Sequence, residues 1–342
     1  MSKRSRLISY MSRNRERLSP LLIMPHDYPD PDAIASAFAL RFLASEVFGI
    51  RSTIAHGGVV GRPENRAMVD ALRIRMQTLT PGHFNRFASF ALLDTQPGFG
   101  NNSLPARYTP SIIIDQHEAL GSHDADFVHI DNTAGATSVL LAQALLATEE
   151  PIPSKLATAL VYGILSDTLN LSRAGSKTDI DTYLTLLPHA DVRALARIQH
   201  PRRTRESLAT LGRGIHNASI VDKTIVSHLG SVENPDVISQ VADMLLSCEG
   251  MRVAFTTGRY KKRLHLSLRL ATRFRSAAKL LRHVVEDQQS AGGHGRIAGG
   301  AVPLDGRVTG VRWRHLETTL TNRLVRSLGG DPKRFRQGAL RQ

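Results

Sequence analysis

A chain of 342 residues with a hydrophobic fraction of 42% is long enough for two domains with separate cores and too apolar to be disordered. The formal net charge of +14 favours polyanionic partners, with nucleic acid and nucleotides first among them. A single cysteine, Cys248, excludes an internal disulfide framework, and no apolar run approaches the roughly 18 residues of a membrane span.

Residues 1–19 carry Arg4, Arg6, Arg13, Arg15 and Arg17 without the apolar stretch of a secretory signal. They read as a basic tail, and the expected location is the cytoplasm. The apolar runs Leu21–Met24, Ile50–Ala55, Phe90–Leu93 and Ser111–Ile114 are predicted strands; Asp32–Phe48, Ala136–Ala147 and Ser154–Leu165 are predicted helices. Their alternation predicts an α/β domain over residues 20–192, built on a doubly wound, mostly parallel sheet. Residues 193–216 are basic and helix-compatible, and read as a linker helix. A smaller α/β domain is expected over residues 217–325: strand Thr224–His228, helix Pro235–Ser247, strands Arg252–Thr256 and Leu264–Leu270, helix Ser276–Val285, and a glycine-rich turn from Gly292 to Gly300. Residues 326–342 read as a second basic tail. Substrate is expected in a cleft between the two domains. Basic residues gather at Arg202-Arg203-Arg205, Lys261-Lys262-Arg263 and Arg269-Arg273-Arg275. The 5% aromatic content argues against a wide stacking surface for long single strands, so short or terminal nucleotides fit better.

Acidic and histidine residues stand at the ends of the apolar runs. His26, Asp30 and Asp32 follow the first predicted strand, Asp94 the third and Asp115-Gln116-His117 the fourth; Asp167 follows the run Val161–Ser166. In parallel α/β sheets, ligands bind beyond these carboxyl ends. Pro29 and Pro31 hold the first segment extended, so that His26, Asp30 and Asp32 can bind one divalent ion and share a second. Asp32 also suits the N-cap of the helix that follows it. Asp94 is the candidate bridging carboxylate, and Asp167 occupies the same kind of position. An oxygen-rich donor set with one or two imidazoles suits Mn²⁺ or Mg²⁺. Two such ions, about 3.5–4 Å apart, would activate water for attack at phosphorus.

In the second domain, the alternation from Leu264 to Leu270 places the leucines on one face and His265, Ser267 and Arg269 on the other. Arg269 is the candidate phosphate clamp, with Ser267 beside it. Gly292 and Gly293 can offer backbone N–H groups to an anion, with His294 as a further donor.

These motifs resemble those of the DHH phosphoesterase superfamily. The resemblance rests on His26-x3-Asp30-x-Asp32-Ala33-x-x-Ser36, the isolated Asp94, the triplet at 115–117 and Gly163-x3-Asp167-Thr168. The C-terminal half is similar to a DHHA1 domain through Ser267-Leu268-Arg269, Gly292-Gly293-His294 and Ala298-Gly299. Length and domain pairing resemble the branch that trims very short RNAs and dephosphorylates pAp. The resemblance implies that His26, Asp30 and Asp94 hold one metal, and that Asp32, Asp94, Asp167 and the middle residue of the triplet hold the other. His117 would contact the scissile phosphate. The middle residue is histidine in the family and Gln116 here, a neutral and weaker donor. The expected function is therefore metal-dependent hydrolysis of short RNA or DNA oligonucleotides, pAp or linear dinucleotides. The alternative is a weak or inactive nucleotide-binding protein of the same fold. A homodimer is compatible with either.

Overall fold

The computed structural model describes residues 3–119, 121, 123–148, 150–272, 275–286, 290–303, 309–338 and 340; Arg273 lies outside them. The chain divides into two compact units, Met1–Pro201 and Arg202–Gln342.

The first unit runs α1 (Lys3–Arg13), α2 (Arg15–Leu18), β1 (Leu21–Pro25), α3 (Pro31–Phe42), β2 (Ser52–His56), α4 (Pro63–Leu72), β3 (Met76–Thr78), β4 (Ser89–Leu93), β5 (Ile112–Asp115), β6 (Phe127–Ile130), α5 (Thr137–Leu146), α6 (Ser154–Asp167), α7 (Lys177–Leu186) and α8 (Val192–Gln199). Its strands form a six-stranded sheet in the order β3-β2-β1-β4-β5-β6, with every neighbouring pair parallel. The strands are apolar along their length because both faces are covered. Leu21, Ile23, Ala91, Leu93, Ile112 and Ile114 join the helices in the main core. Leu22, Met24, Phe90, Leu92 and Ile113 face a smaller core closed by loop side chains, where the rings of Phe84 and Tyr108 stack at 5.3 Å. Each fully buried leucine or isoleucine contributes about 1.5–3 kcal/mol.

Within the expected basic tail, residues 3–18 form α1 and α2. Leu7, Met11 and Leu18 are buried in the main core, while Arg6 and Arg13 of the amphipathic helix α1 are exposed. The predicted helix Asp32–Phe48 ends its regular part at Phe42 and finishes in a π turn, Leu43–Val47. Asp167 is the last residue of α6, which carries the predicted helix Ser154–Leu165 on past Leu165. The run Leu156–Leu165 within it is buried all round. Gly163, one turn before Asp167, allows α6 to press on α3: a Cβ there would lie 2.9 Å from that of Ala35 and 2.9 Å from Ser138 Oγ. That close crossing fixes where Asp167 emerges.

The second unit runs α9 (Arg205–His216), β7 (Ser219–Val221), β8 (Thr224–Ser231), α10 (Asp236–Leu246), β9 (Val253–Tyr260), β10 (Arg263–Leu270), α11 (Ala277–Val285), β11 (Ala291–His294), β12 (Ile297–Pro303), α12 (Gly310–Ser327) and β13 (Arg336–Gln337). The sheet order is β11-β12-β10-β9-β8-β7-β13. Only β8 and β9 pair in parallel, joined by the crossover helix α10. Leu264, Leu266, Leu268 and Leu270 pack with α11 and α12 in one core. On the other face, Val237, Ile238, Val241 and Leu245 of α10 pack with Ile225 and Ala254. The expected linker helix is two helices, α8 and α9, separated at residues 200–204 around Pro201. In the expected second tail, Arg336 and Gln337 pair with β7. No helix among the described residues is long and apolar enough to cross a membrane.

Candidate metal centre

The strand order reverses between β1 and β4, the point where open α/β sheets receive ligands. His26 leaves β1 and Asp94 leaves β4 there, on adjacent strands paired through Pro25 and Leu93. Asp94 is held in the left-handed region at φ 57°, a conformation costly for a non-glycine residue and characteristic of functional sites.

The Nδ1 of His26 is 2.9 Å from the carbonyl oxygen of Asp27 and must donate to it. Its Nε2 therefore faces Asp30 Oδ2 at 3.7 Å and Asp94 Oδ2 at 3.6 Å. Both distances exceed a good hydrogen bond and suit donors arranged around a common ion. The other oxygen of Asp94 accepts from Thr137 Oγ1 at 2.8 Å and lies 3.5 Å from His117 Nδ1. Asp94 thus stands between two groups of donor atoms, His26–Asp30–Asp94 and Asp94–Asp115–His117, each within 4.8 Å of one another.

Asp32 is fully buried, and it does not cap the helix that contains it. Asp30 does so, accepting from Ala33 N at 3.0 Å. Asp32 instead reaches the start of α5, where it accepts from Thr137 N at 2.7 Å and Ser138 N at 2.8 Å. That is a cap supplied from a distant part of the chain, favoured by the helix dipole. Gln116 donates from Nε2 to Asp167 Oδ2 at 2.5 Å, and its backbone N–H donates to Thr137 Oγ1 at 3.2 Å.

The electrostatics call for positive charge. Burial, followed by the charge of Asp30, pushes the Asp94 carboxyl up to about 7. Burial and neighbouring carboxylates drive Asp32 and Asp167 well above the usual range, through Asp94 for the first and Asp32 for the second. Burial opposes charge on His26, but the nearby carboxylates, Asp30 first and then Asp94, outweigh it and raise the imidazole to about 10. Burial likewise opposes charge on His117, which Asp115 and Asp94 raise to about 9. Asp30 is the exception among the carboxyls: burial would raise it, yet His26 holds it down at about 2. The donors are carboxylates and imidazole without a thiolate, which is chemistry for a hard divalent cation.

Asp115, the first residue of the triplet, and two residues beyond it, Gln96 and His123, shape the site. Asp115 is fully buried and accepts from His117 at both the backbone N–H (3.1 Å) and Nδ1 (2.8 Å). Gln96, also fully buried, donates from Nε2 to Asp115 Oδ2 at 2.7 Å, while its Oε1 accepts from His123 Nε2 at 2.7 Å. The result is a chain of hydrogen bonds from His123 through Gln96 and Asp115 to His117. Gln96 carried one signal in the sequence, its place two residues after Asp94.

The second unit departs from expectation. Arg269 is 5% exposed, and its Nε donates to Asp243 Oδ1 of α10 at 2.5 Å, with Nη1 on the carbonyl oxygens of Leu268 and Ala298. Its guanidinium is committed to the protein because α10 covers that face of β10. Ser267 is buried on the same face, with no hydrogen-bond partner for its Oγ. The glycine-rich turn is a hairpin of β11 and β12, in which Gly293 at φ 144° is required because a Cβ would strike Ala298. His294 pairs through its backbone with Ile297. In register, Ser267, Gly299 and Gly292 form a row across β10, β12 and β11, and the two glycines leave their strand surface bare and exposed.

No protein-family model matches the chain. An uncharacterized protein of Methanocaldococcus jannaschii is 32% identical over 302 residues, covering 88% of this chain and 62% of that protein. A probable manganese-dependent inorganic pyrophosphatase of Streptococcus equi subsp. zooepidemicus is 25% identical over 159 residues, covering 45% of this chain and 50% of that protein. The chain therefore spans between half and two thirds of the length of these relatives. Among solved structures, an exopolyphosphatase-related protein from Bacteroides fragilis superposes with a TM-score of 0.73 at 15% identity, over 94% of this chain and 97% of that one. The exonuclease RecJ bound to manganese superposes with a TM-score of 0.55 at 13% identity, over 96% and 94%. The chain shares its fold with these two structures, and its ordered motifs resemble those of the DHH phosphoesterase superfamily. From the motif that the sequence resembles, the departure is Gln116, whose amide nitrogen is turned to Asp167.

Proposed function

We propose that the protein hydrolyses phosphoester bonds in short oligonucleotides or nucleotides such as pAp, using Mn²⁺ or Mg²⁺. The observation that carries this reading is the placement of Asp94, one oxygen toward His26 and Asp30 and the other toward Thr137 and His117. His26, Asp30 and Asp94 would hold one ion; Asp94, Asp32 and Asp167, with Gln116, would hold the other. Bound divalent ions supply Lewis acidity to the phosphoryl oxygens and lower the pKa of water. His117 supplies the proton. With Nδ1 held by Asp115, Nε2 is the ring atom left to give a proton to the leaving oxygen. The net charge of +14 and the bare glycine row of the second unit support a nucleotide substrate.

The test is incubation with Mn²⁺ and a panel of RNA dimers to pentamers and pAp, with product resolution. Release of mononucleotides or phosphate that depends on Mn²⁺ and disappears in Asp94→Asn is the expected result. Absence of product across the panel, or full activity in that variant, overturns the reading. A second reading is favoured by the Gln116–Asp167 bond: a nucleotide-binding protein with one occupied metal position and little turnover. Binding of pAp without product at millimolar Mn²⁺ would establish it.

A further inference from the structure

Tyr28 lies between two of the candidate ligands, His26 and Asp30, yet it is 58% exposed and held at φ 57°. A bulky residue in the left-handed region is a true outlier, and the chain tolerates that strain to keep an aromatic ring outside the core. The ring has a prepared seat. A Cβ placed on Gly58 would lie 2.7–2.8 Å from Cγ, Cδ1 and Cδ2 of Tyr28 alike, so the Gly58 backbone sits over the face of the ring and not at its edge. Gly58 is itself left-handed at φ 66°. Tyr28 N donates to the carbonyl oxygen of Gly57 at 3.1 Å. A Cβ on Gly57 would overlap the Asp27 carboxylate, which in turn accepts from Ser103 Oγ at 2.7 Å. The Asp27 N–H donates to Asn101 O at 2.6 Å. The loop after β1 is thus clamped by the loops after β2 and β4, with one face of Tyr28 covered by glycine and most of the ring open to solvent.

A fixed aromatic face two residues from His26 and Asp30 has a chemical use. Inorganic phosphates have nothing to stack on it, whereas a nucleoside phosphate carries a base. We propose that Tyr28 is the stacking surface for the base of a nucleotide whose phosphate lies at the His26–Asp30–Asp94 group, and that it selects nucleotides over base-free phosphates. This rests on the reading that the acidic group binds substrate phosphate through divalent ions. Tyr28 is a specificity residue here and takes no part in proton transfer.

The experiment is calorimetric binding of 5′-AMP and ribose 5-phosphate to the full chain with Mg²⁺. The intact protein should bind 5′-AMP about 5- to 100-fold more tightly, the range that base–aromatic stacking covers. Tyr28→Asn removes the ring and suits a positive φ, so that the variant keeps its fold, and the preference should vanish because 5′-AMP alone weakens. Tyr28→Phe should keep the preference. Equal affinities in the intact protein, a preference that persists in Tyr28→Asn, or equal weakening of both ligands overturns the proposal; the last outcome would assign Tyr28 to holding the loop. Failure of the hydrolytic reading looks different. It is absence of Mn²⁺-dependent product from an RNA dimer while the binding preference stands.

Discussion

The two halves of the acidic site are built from similar residues and arranged differently. Around His26, the donor atoms of Asp30 and Asp94 stand 3.6–3.7 Å from Nε2, too far for strong direct bonds and suited to a shared ion. Around Gln116, the atoms have found each other: the amide holds Asp167 at 2.5 Å, and Asp32 accepts two backbone N–H groups. The first half is an arrangement that a cation completes; the second is partly completed by the protein itself. An amide differs from imidazole in this respect, since its N–H can satisfy a neighbouring carboxylate without help from a metal.

The largest effect should come from the residue common to both halves. Asp94→Asn removes the shared charge, and metal-dependent hydrolysis should fall by about 10³-fold, the equivalent of several kcal/mol of charge stabilisation. The check is turnover of an RNA dimer across a Mn²⁺ titration. Loss of only a few-fold would show that the halves function independently. Next in size is Gln116→His, which replaces the donor amide with an imidazole and frees Asp167 from its 2.5 Å bond. The Mn²⁺ needed for half-maximal activity should drop about 10- to 100-fold. An unchanged or raised requirement would mean that the second half is organised around the glutamine.

The same contrast explains what the sequence could disclose. His26, Asp30 and Asp94 were legible as candidates because short apolar strands of a parallel sheet end where ligands gather, and the alternation of the runs implied a mostly parallel sheet without its strand order. Asp167 was legible as a candidate donor just after the predicted helix Ser154–Leu165, but its bond to Gln116 was not, because the two lie 51 positions apart. Arg269 misled for a related reason. Alternation assigned it correctly to the face opposite the leucines, yet it says nothing of what covers that face, and α10 brings Asp243 onto it. The role of Asp32 at the start of α5 was hidden by the separation of 105 residues between it and Thr137.

A smaller effect should follow from cutting the hydrogen-bond chain behind His117. Gln96→Leu leaves Asp115 Oδ2 without its 2.7 Å donor and His123 Nε2 without its acceptor. Asp115 keeps its bonds to His117, so the histidine is loosened and not lost. The expected cost is about tenfold in kcat with KM little changed, at the low end of what outer partners of a metal site contribute. His123→Ala should cost less, since it removes only the outermost link. A change in KM alone would place these residues in substrate contact instead.

The smallest effect is on stability, and its sign follows from the raised groups. Asp94, raised to about 7, stabilises the fold in its protonated form, and that contribution is lost as pH rises toward and through 7. His26, raised to about 10, stabilises the fold while protonated; its contribution is complete below the ordinary histidine range and declines as pH climbs toward 10. Asp30, lowered to about 2, matters only in acid, where its contribution is lost as pH falls through that value. Between pH 6 and 8.5 the metal-free protein should therefore lose several degrees of Tm, because about 1 kcal/mol moves the midpoint of a domain of this size by roughly 2–4 °C. Mg²⁺ should restore most at the alkaline end, where the carboxylates are ionised and most in need of a counter-charge. Asp94→Asn should flatten both the pH slope and the Mg²⁺ gain. A slope that survives in Asp94→Asn would trace it to the raised imidazoles of His26 and His117 and not to the shared carboxylate.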